Sequence, residues 1–267
     1  MTAQGSDKSA DALRVHRYGP PGPPQVLALH GLTGHGRRWQ PLADRHLPGV
    51  TVYAPDLIGH GHSTWSAPWT IDANAAALAE ALAGEPVVVV AHSFGSAIAL
   101  RLAASRPDLV SALVLLDPAV GLDGGWMREI ADAMYASPAY TDAAEARSAK
   151  TSGSWADVDS DEVDSELTQH LVELPNGRVG WRISIPAMMS YWSELARDIS
   201  FPANGIPVTV VRAARTDPPY VTDALIDGLR QCCGSGFQLL EFDCDHMVAQ
   251  VKPVETAALI RAYLGSR

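Results

Sequence analysis

The sequence predicts an α/β fold in which helices cover both faces of a mostly parallel, doubly wound sheet. Apolar runs of strand length, such as the valines at 87–90, recur along the chain, and helical patterns lie between several of them. Strands buried on both faces have nearly continuous Val, Ile and Leu, and parallel neighbours need crossover segments that are usually helical. The alternation therefore favours a single α/β core.

The individual elements follow from this alternation. Strands are expected at 25–29, 51–54, 87–91, 112–116, 207–212 and 237–242. Helices are expected at 71–83, 96–105, 221–230 and 254–263. Each of these strands ends in a turn or loop, and open parallel sheets place their functional sites at the carboxyl ends of their strands.

Residues 119–203 interrupt the alternation, because they contain no clear strand but many large apolar side chains. A connection of this length without secondary structure is uncommon, so we expect a helical insertion that forms a cap. The core would then consist of residues 12–118 and 204–267, with the cap at 119–203. The acidic stretch at 156–166 lacks the spacing of a calcium loop and is expected to be a solvated surface.

Composition excludes several classes of protein. The chain has 267 residues and a formal net charge of −10, without the clusters of Lys and Arg that nucleic acids or anionic membranes require. No apolar run approaches the roughly 20 residues that span a bilayer, and the first residues lack the apolar segment of a signal peptide. We therefore expect a soluble, cytoplasmic protein without integral membrane association. The 3 cysteines are expected to be reduced.

The stretch AHSFG places Ser93 between an apolar strand and an alanine-rich helix. A sharp strand-to-helix turn exposes the side chain at its apex and needs small residues two positions away on each side, here Ala91 and Gly95. The pattern predicts a nucleophile elbow, with alanine in place of the usual first glycine. The alternative is a serine that only caps the following helix.

Three further stretches supply partners for this serine. LHGLTGHG follows the first strong strand and could turn the N–H of Leu32 toward the elbow, forming an oxyanion hole with the N–H of Phe94. Asp217 and His246 each follow a later strand, which gives the order serine, acid, histidine. Asp117 and Asp223 remain alternative acids, because each lies beside a predicted strand or helix end.

The sequence resembles the α/β-hydrolase superfamily over nearly its whole length. The resemblance is carried by LHGLTG, APDLIGHGHS, AHSFG, LVLLDP, RAARTD and DHM. It is nearest in character to small bacterial esterases and lipase-like members with a helical cap. It implies a carboxylic-ester hydrolase with Ser93 as nucleophile, His246 as base and Asp217 as orienting acid, acting on a small-molecule ester.

The resemblance also implies that no metal or organic cofactor is needed. His60 and His62 form an H-x-H pair, but the glycine-rich turn of this family commonly carries such a histidine without metal. The same triad would serve a thioesterase, acyltransferase, perhydrolase or carbon–carbon hydrolase, and a ligand-binding sensor with little turnover is a third possibility. The sequence leaves the natural substrate and the oligomeric state open.

The cap is expected to form the substrate pocket. Met188, Met189, Tyr191 and Trp192 follow Pro186 and are predicted to form the acyl wall, since flexible and broad apolar side chains suit an acyl chain. The alternative is that they only pack the cap onto the core. No cationic partner for a charged acyl group is evident from the sequence, so neutral acyl groups are expected to be preferred.

Overall fold

The computed structural model describes residues 13–82, 84 and 86–265. Its strands are β1 (Val15–Tyr18), β2 (Val26–Leu29), β3 (Val52–Pro55), β4 (Val87–His92), β5 (Val110–Leu116), β6 (Leu171–Glu173), β7 (Val179–Trp181), β8 (Val208–Ala213) and β9 (Phe237–Phe242). Its helices are α1 (Gln40–His46), α2 (Ile71–Ala81), α3 (Phe94–Ser105), α4 (Gly124–Ala136), α5 (Ala143–Thr151), α6 (Ser160–His170), α7 (Ile185–Glu194), α8 (Asp223–Cys233), α9 (Val248–Val251) and α10 (Pro253–Leu264).

Seven strands form one sheet in the order β1-β3-β2-β4-β5-β8-β9. β1 pairs antiparallel with β3, and every other pair in this sheet is parallel. The predicted fold class is confirmed, and all six predicted strands are present. β1 was missed because its sequence, VHRY, has no apolar run: it lies at the edge of the sheet and is only partly buried.

Strand β4 lies at the centre of the sheet and is buried on both faces. Val87, Val89 and Ala91 belong to one hydrophobic cluster, while Val88 and Val90 belong to a second. Because successive side chains of a strand point to opposite faces, this division shows one core layer on each side of the sheet. The unbroken valine run is the sequence pattern that two covered faces require.

Between β5 and β8 the chain forms four helices, α4 to α7, and a two-stranded antiparallel hairpin of β6 and β7. The sequence-based expectation of helices without strands is wrong in this detail, because LVE and VGW are too short to produce an alternating pattern. Each of the four helices α4 to α7 is preceded by a residue whose side chain accepts a hydrogen bond from a backbone N–H of the first turn. These residues are Asp123, Asp142, Asp159 and Ser184.

Helix α7 of this insertion packs against the core through Tyr191. Tyr191 has no exposed surface, and its ring centroid lies 4.6 Å from that of Phe94 at the start of α3. Its hydroxyl donates to the carbonyl of Ile58 at 2.9 Å and accepts from the amide of Asn74 at 2.9 Å. Among the described helices, none combines the length and the apolar character needed to cross a membrane.

Gly95 lies where α3 packs closely on the end of β2, and this contact generates a prediction. A Cβ at Gly95 would lie 2.6 Å from the carbonyl oxygen of His30 and 2.8 Å from that of Leu29. Since backbone atoms cannot move aside cheaply, Gly95→Ala should lower the free energy of unfolding by about 1–3 kcal/mol or more. Denaturant unfolding measures the change.

Gly236→Ala is the matched control, because a Cβ there would make only ordinary contact with Pro207 at 3.5 Å. Its free energy of unfolding should stay within about 0.5 kcal/mol of the wild-type value. Equal stability of the two variants would contradict close packing at the elbow.

Candidate active site

Ser93 occupies the junction between β4 and α3. Its backbone has φ 52° and ψ −121°, and its N–H donates to the carbonyl of Leu116 at the end of β5, at 3.0 Å. Its side chain makes no capping hydrogen bond to α3, although it stands at the N-cap position. The capping alternative therefore does not explain this serine, and its backbone has the strained form of a nucleophile elbow.

His246 lies on the loop after β9, and its Nδ1 is 2.6 Å from Oδ2 of Asp117. Asp117 is 1% exposed and directly follows β5. The same carboxylate accepts the N–H of Ala213 and the hydroxyl of Thr216, each at 3.1 Å. A carboxylate can only accept, so Nδ1 of His246 carries the proton and Nε2 is left free to take one.

The structure brings Asp117, and not the predicted acid Asp217, into contact with His246, so the geometry favours Asp117. Asp217 is exposed in the loop after β8, and Asp223 is exposed at the first position of α8. β5 and β8 both lie between β4 and β9, so strand order alone does not separate Asp117 from Asp217. The burial of Asp117 and its contact with His246 separate them. Thr216, the residue just before Asp217, donates its hydroxyl to the carboxylate of Asp117.

His92 is a residue of the site that the sequence did not reveal. Its Nε2 donates to the backbone carbonyl of His246 at 2.8 Å, and the two rings lie 4.5 Å apart. Burial, followed by the neighbouring His246, holds the pKa of His92 well below its usual value. A neutral His92 therefore fixes the backbone of His246. Its only signal in the sequence was its position beside Ser93.

The predicted oxyanion loop is a tight turn from Gly31 to Gly34. The carbonyl of Gly31 accepts the N–H of Gly34 at 3.0 Å and Nδ1 of His30 at 2.8 Å. A Cβ on Gly31 would lie 3.1 Å from Cβ of Ser93, so this turn reaches the elbow. Among the described residues, neither the Leu32 N–H nor the Phe94 N–H has a hydrogen-bond acceptor.

Backbone strain is concentrated at this site. Among the described residues other than glycine, only Thr33, Ser93 and Asp117 have positive φ, at 62°, 52° and 43°. Such conformations cost about 1–3 kcal/mol each and persist only where surrounding contacts hold them. The carbonyl of Thr33 is held by two donors, Arg38 at 3.2 Å and His170 at 3.1 Å.

These contacts lead to a buried charge cluster centred on Glu166 of α6. One oxygen of Glu166 accepts from His35 at 3.0 Å and from Arg38 at 3.1 Å. The other accepts from Arg38 at 2.5 Å and from Lys150 of α5 at 2.9 Å. Glu166 is 3% exposed, so the expectation of a solvated acidic surface at 156–166 is wrong for this residue.

Electrostatics in this cluster keep Glu166 ionised. Burial alone raises the pKa of its carboxyl, but Arg38, Lys150 and the hydrogen bond from His35 together hold that pKa well below its usual range. Burial lowers the pKa of Lys150 to about 8, against the opposing effect of Glu166. Two cations and one carboxylate are thus packed against the oxyanion loop.

A cavity of about 240 Å³ opens beside this cluster and next to Thr33. Its aromatic walls come from Tyr140, Trp155 and Trp181, and Lys150 also lines it. Nζ of Lys150 lies 3.8 Å from the ring centroid of Trp181 and 4.4 Å from that of Trp155. The insertion therefore brings a cation and apolar surface close to the predicted oxyanion hole.

The predicted acyl wall divides into two pairs. Met188 and Tyr191 have no exposed surface and belong to the main hydrophobic core, so packing accounts for both of them. They offer no open surface to an acyl chain, which corrects their assignment. Met189 and Trp192 are half-buried against the same core, and their contact with substrate stays a prediction.

The two histidines of the H-x-H pair do not converge. His60 is buried, and its Nδ1 donates to the carbonyl of Ile58 at 3.0 Å, whereas His62 is exposed. Burial lowers the pKa of His60 to about 4. Across residues 13–82, 84 and 86–265, no group of three or more His, Cys, Asp or Glu is arranged to hold a metal ion.

Comparisons with known proteins identify relatives in sequence and in fold. Lipase LipV from Mycobacterium tuberculosis is 60% identical over 258 residues, which cover 96% of this chain and 98% of LipV. The solved structure of E-2-(acetamidomethylene)succinate hydrolase has a TM-score of 0.80 at 23% identity, covering 95% of each chain. A marine microorganism esterase has a TM-score of 0.73 at 21% identity, covering 95% of this chain and 98% of its own.

The family match covers most of the described core and the whole insertion. Residues 26–259 match the alpha/beta hydrolase family, a span that contains β2 to β9 and every residue of the candidate site. Together with the parallel sheet and the elbow at Ser93, this match confirms the family that the sequence resembled. The chain belongs to the alpha/beta hydrolase family.

Proposed function

We propose that this protein hydrolyses carboxylic esters through an acyl-enzyme on Ser93, with His246 as general base and Asp117 as orienting acid. The observation that carries the proposal is the 2.6 Å contact between Nδ1 of His246, on the loop after β9, and the buried carboxylate of Asp117, which directly follows β5, the strand beside β4. It fixes the imidazole tautomer that a serine nucleophile needs. The relative LipV, which is named a lipase, supports the choice of an ester bond.

In the first half-reaction, the Ser93 hydroxyl attacks the ester carbonyl while Nε2 of His246 takes its proton. The new imidazolium is stabilised by Asp117, and the oxyanion accepts hydrogen bonds from the N–H groups of Leu32 and Phe94. Collapse of the tetrahedral intermediate expels the alcohol, which receives the proton from His246. In the second half-reaction, water attacks the acyl-enzyme by the same route and the carboxylic acid leaves.

The charge cluster supports the oxyanion loop in this scheme. Glu166 holds Arg38, and Arg38 and His170 hold the carbonyl of Thr33, which follows one of the proposed oxyanion donors. Thr33 is β-branched, so its positive φ is unfavourable without those contacts. We therefore assign Glu166 a positioning role that acts through Arg38.

The first prediction from this proposed function concerns the nucleophile. Ser93→Ala should fold normally but lose at least about 10³-fold in kcat on 4-nitrophenyl butyrate, because the triad acts as a unit. A fluorophosphonate should add one equivalent to the wild-type protein at Ser93, detected by mass spectrometry of its peptides. Label on another serine, or near-normal turnover by the variant, would refute the assignment.

The second prediction separates the two candidate acids. Asp117→Asn should lower kcat by about 10⁴-fold, because an amide no longer enforces the Nδ1–H tautomer of His246. Asp217→Asn should change kcat less than about twofold, since its side chain is exposed and away from His246. Circular dichroism should show both variants folded. The reverse order of losses would restore Asp217 as the acid.

The third prediction tests how Glu166 acts. Glu166→Gln should lower kcat more than it changes KM, because a loosened Thr33 turn weakens interactions made mainly in the transition state. Adding Thr33→Gly should restore part of kcat without restoring the thermal midpoint, since glycine adopts positive φ without strain. A double variant as slow as Glu166→Gln alone would mean that the loss does not pass through the Thr33 turn.

A further inference from the structure

The charges around Glu166 do not balance. Arg38 and Lys150 are both nearly buried, with side chains 7% and 8% exposed, and Glu166 is the carboxylate that they share. Burial lowers the pKa of His35 and of His170, so both imidazoles are neutral in the resting protein. Among the described residues, no second carboxylate lies within 4 Å of either cation. The cluster therefore carries an excess of one positive charge.

A buried cation that shares its carboxylate partner with a second cation is costly, and the lowered pKa of Lys150 shows that cost. Burial is the main cause of its lowered pKa, and Arg38 adds to it, while Glu166 only partly compensates. Trp155 and Trp181 contribute their ring faces, which attract a cation but carry no net charge. A second anion beside the ammonium would supply the missing charge.

The position of Lys150 shows where that anion could lie. Its side chain lines the 240 Å³ cavity, which also touches Thr33, the residue after the proposed oxyanion donor Leu32. Tyr140, Trp155 and Trp181 line the cavity with aromatic surface, and Tyr140 adds a hydroxyl. The link between this cavity and the elbow is Thr33, because the turn that carries it also approaches Ser93 at Gly31. An ester bound with its carbonyl at the proposed oxyanion hole would extend along this turn toward the ammonium.

We propose that Lys150 binds an anionic group of the ester substrate, so that the enzyme prefers esters carrying a carboxylate or a similar monoanion over neutral esters of the same size. The inference rests on the proposed function and adds its substrate class. It reverses the expectation from the sequence that charged acyl groups find no cationic partner. Lys150 is a specificity residue in this proposal and takes no part in the proton transfers.

The experiment compares matched pairs of esters that differ in one charge. Mono-4-nitrophenyl adipate against 4-nitrophenyl methyl adipate places the anion on the acyl side. 4-Acetoxybenzoate against methyl 4-acetoxybenzoate places it on the alcohol side. For each pair the ratio of kcat/KM, anionic over neutral, should exceed one for the wild type on at least one side, after subtraction of uncatalysed hydrolysis.

Variants assign that ratio to Lys150. Lys150→Gln should lower it by about 10- to 100-fold, the range of a charge-assisted hydrogen bond, and Lys150→Arg should retain most of it. Arg230→Gln removes an exposed cation that pairs with Asp227 on α8, and should leave the ratio unchanged. Because both esters are measured on one protein, a general loss of folding or catalysis cancels.

The pH profile gives a second test of the same group. Because burial lowers the pKa of Lys150 to about 8, the ratio of kcat/KM should fall as pH rises from 7 to 9.5. The proposed chemical steps at Ser93 are common to both esters, so any pH dependence of those steps cancels in the ratio. The other groups facing Lys150 are Glu166 and His170 of α6, Arg38 and His35 after β2, and Tyr140 before α5.

Three outcomes would overturn the inference. A ratio at or below one on both sides, with ready turnover of the neutral esters, would remove the anion site and leave ester hydrolysis intact. A high ratio that survives Lys150→Gln would place the anion elsewhere. Turnover of no ester by the wild type would overturn the proposed function and this inference together.

Discussion

The hydrogen bond from His246 to the buried Asp117 carboxylate is the interaction on which the site depends. It joins the loop after β9 to the end of β5, across the intervening strand β8. Two donors from β8 and its following loop bind the same carboxylate. They are the N–H of Ala213, at the end of β8, and the hydroxyl of Thr216, in the loop. Three parallel strands are thus bound together at their carboxyl ends by one side chain. The sheet supplies the positions, and the carboxylate fixes the chemistry of the imidazole.

Each residue with a strained backbone in this site is held by hydrogen bonds to other parts of the chain. Ser93, Asp117 and Thr33 hold unfavourable backbone conformations, and each is held by hydrogen bonds from elsewhere in the chain. The backbone N–H of Ser93 donates to a carbonyl at the end of β5, and the backbone N–H of Asp117 donates to a carbonyl of β8. The backbone carbonyl of Thr33 accepts from Arg38 and His170. Local propensity would not select these conformations, so the folded core must impose them. The strained residues are the candidate nucleophile, the candidate acid and the residue that follows a candidate oxyanion donor.

Much of the fold was predictable, because burial on both faces leaves a strong pattern. The valines of β4 divide between two core layers, and this requires the continuous apolar run seen in the sequence. Ser93 and His246 were also predictable, since each follows a strand with a distinctive local motif. The polar edge strand β1 and the three-residue strands β6 and β7 carry no such pattern, and they were missed.

The acid was not predictable for a different reason. Asp117 and Asp217 both follow strands of the same sheet, and the sequence does not show how far a loop extends before its side chain turns inward. In the structure Asp117 is enclosed and contacts His246 while Asp217 is exposed, and the sequence does not show this difference in burial. Glu166 was hidden in the same way. Its partners His35 and Arg38 lie more than a hundred residues away, and an acidic stretch looks solvated until those partners are known.

The burial of Glu166 has a further consequence for how the insertion and the core cooperate. A buried ion pair seldom adds much stability over an apolar contact of the same volume, so stability alone is a weak reason for this cluster. Its geometry suggests a different role: it joins α5 and α6 of the insertion to the oxyanion loop of the core through one carboxylate. The same carboxylate holds Lys150 at the neighbouring cavity. Because one carboxylate contacts both features, the two proposals together imply that the position of the oxyanion donors and the charge presented to a substrate are coupled.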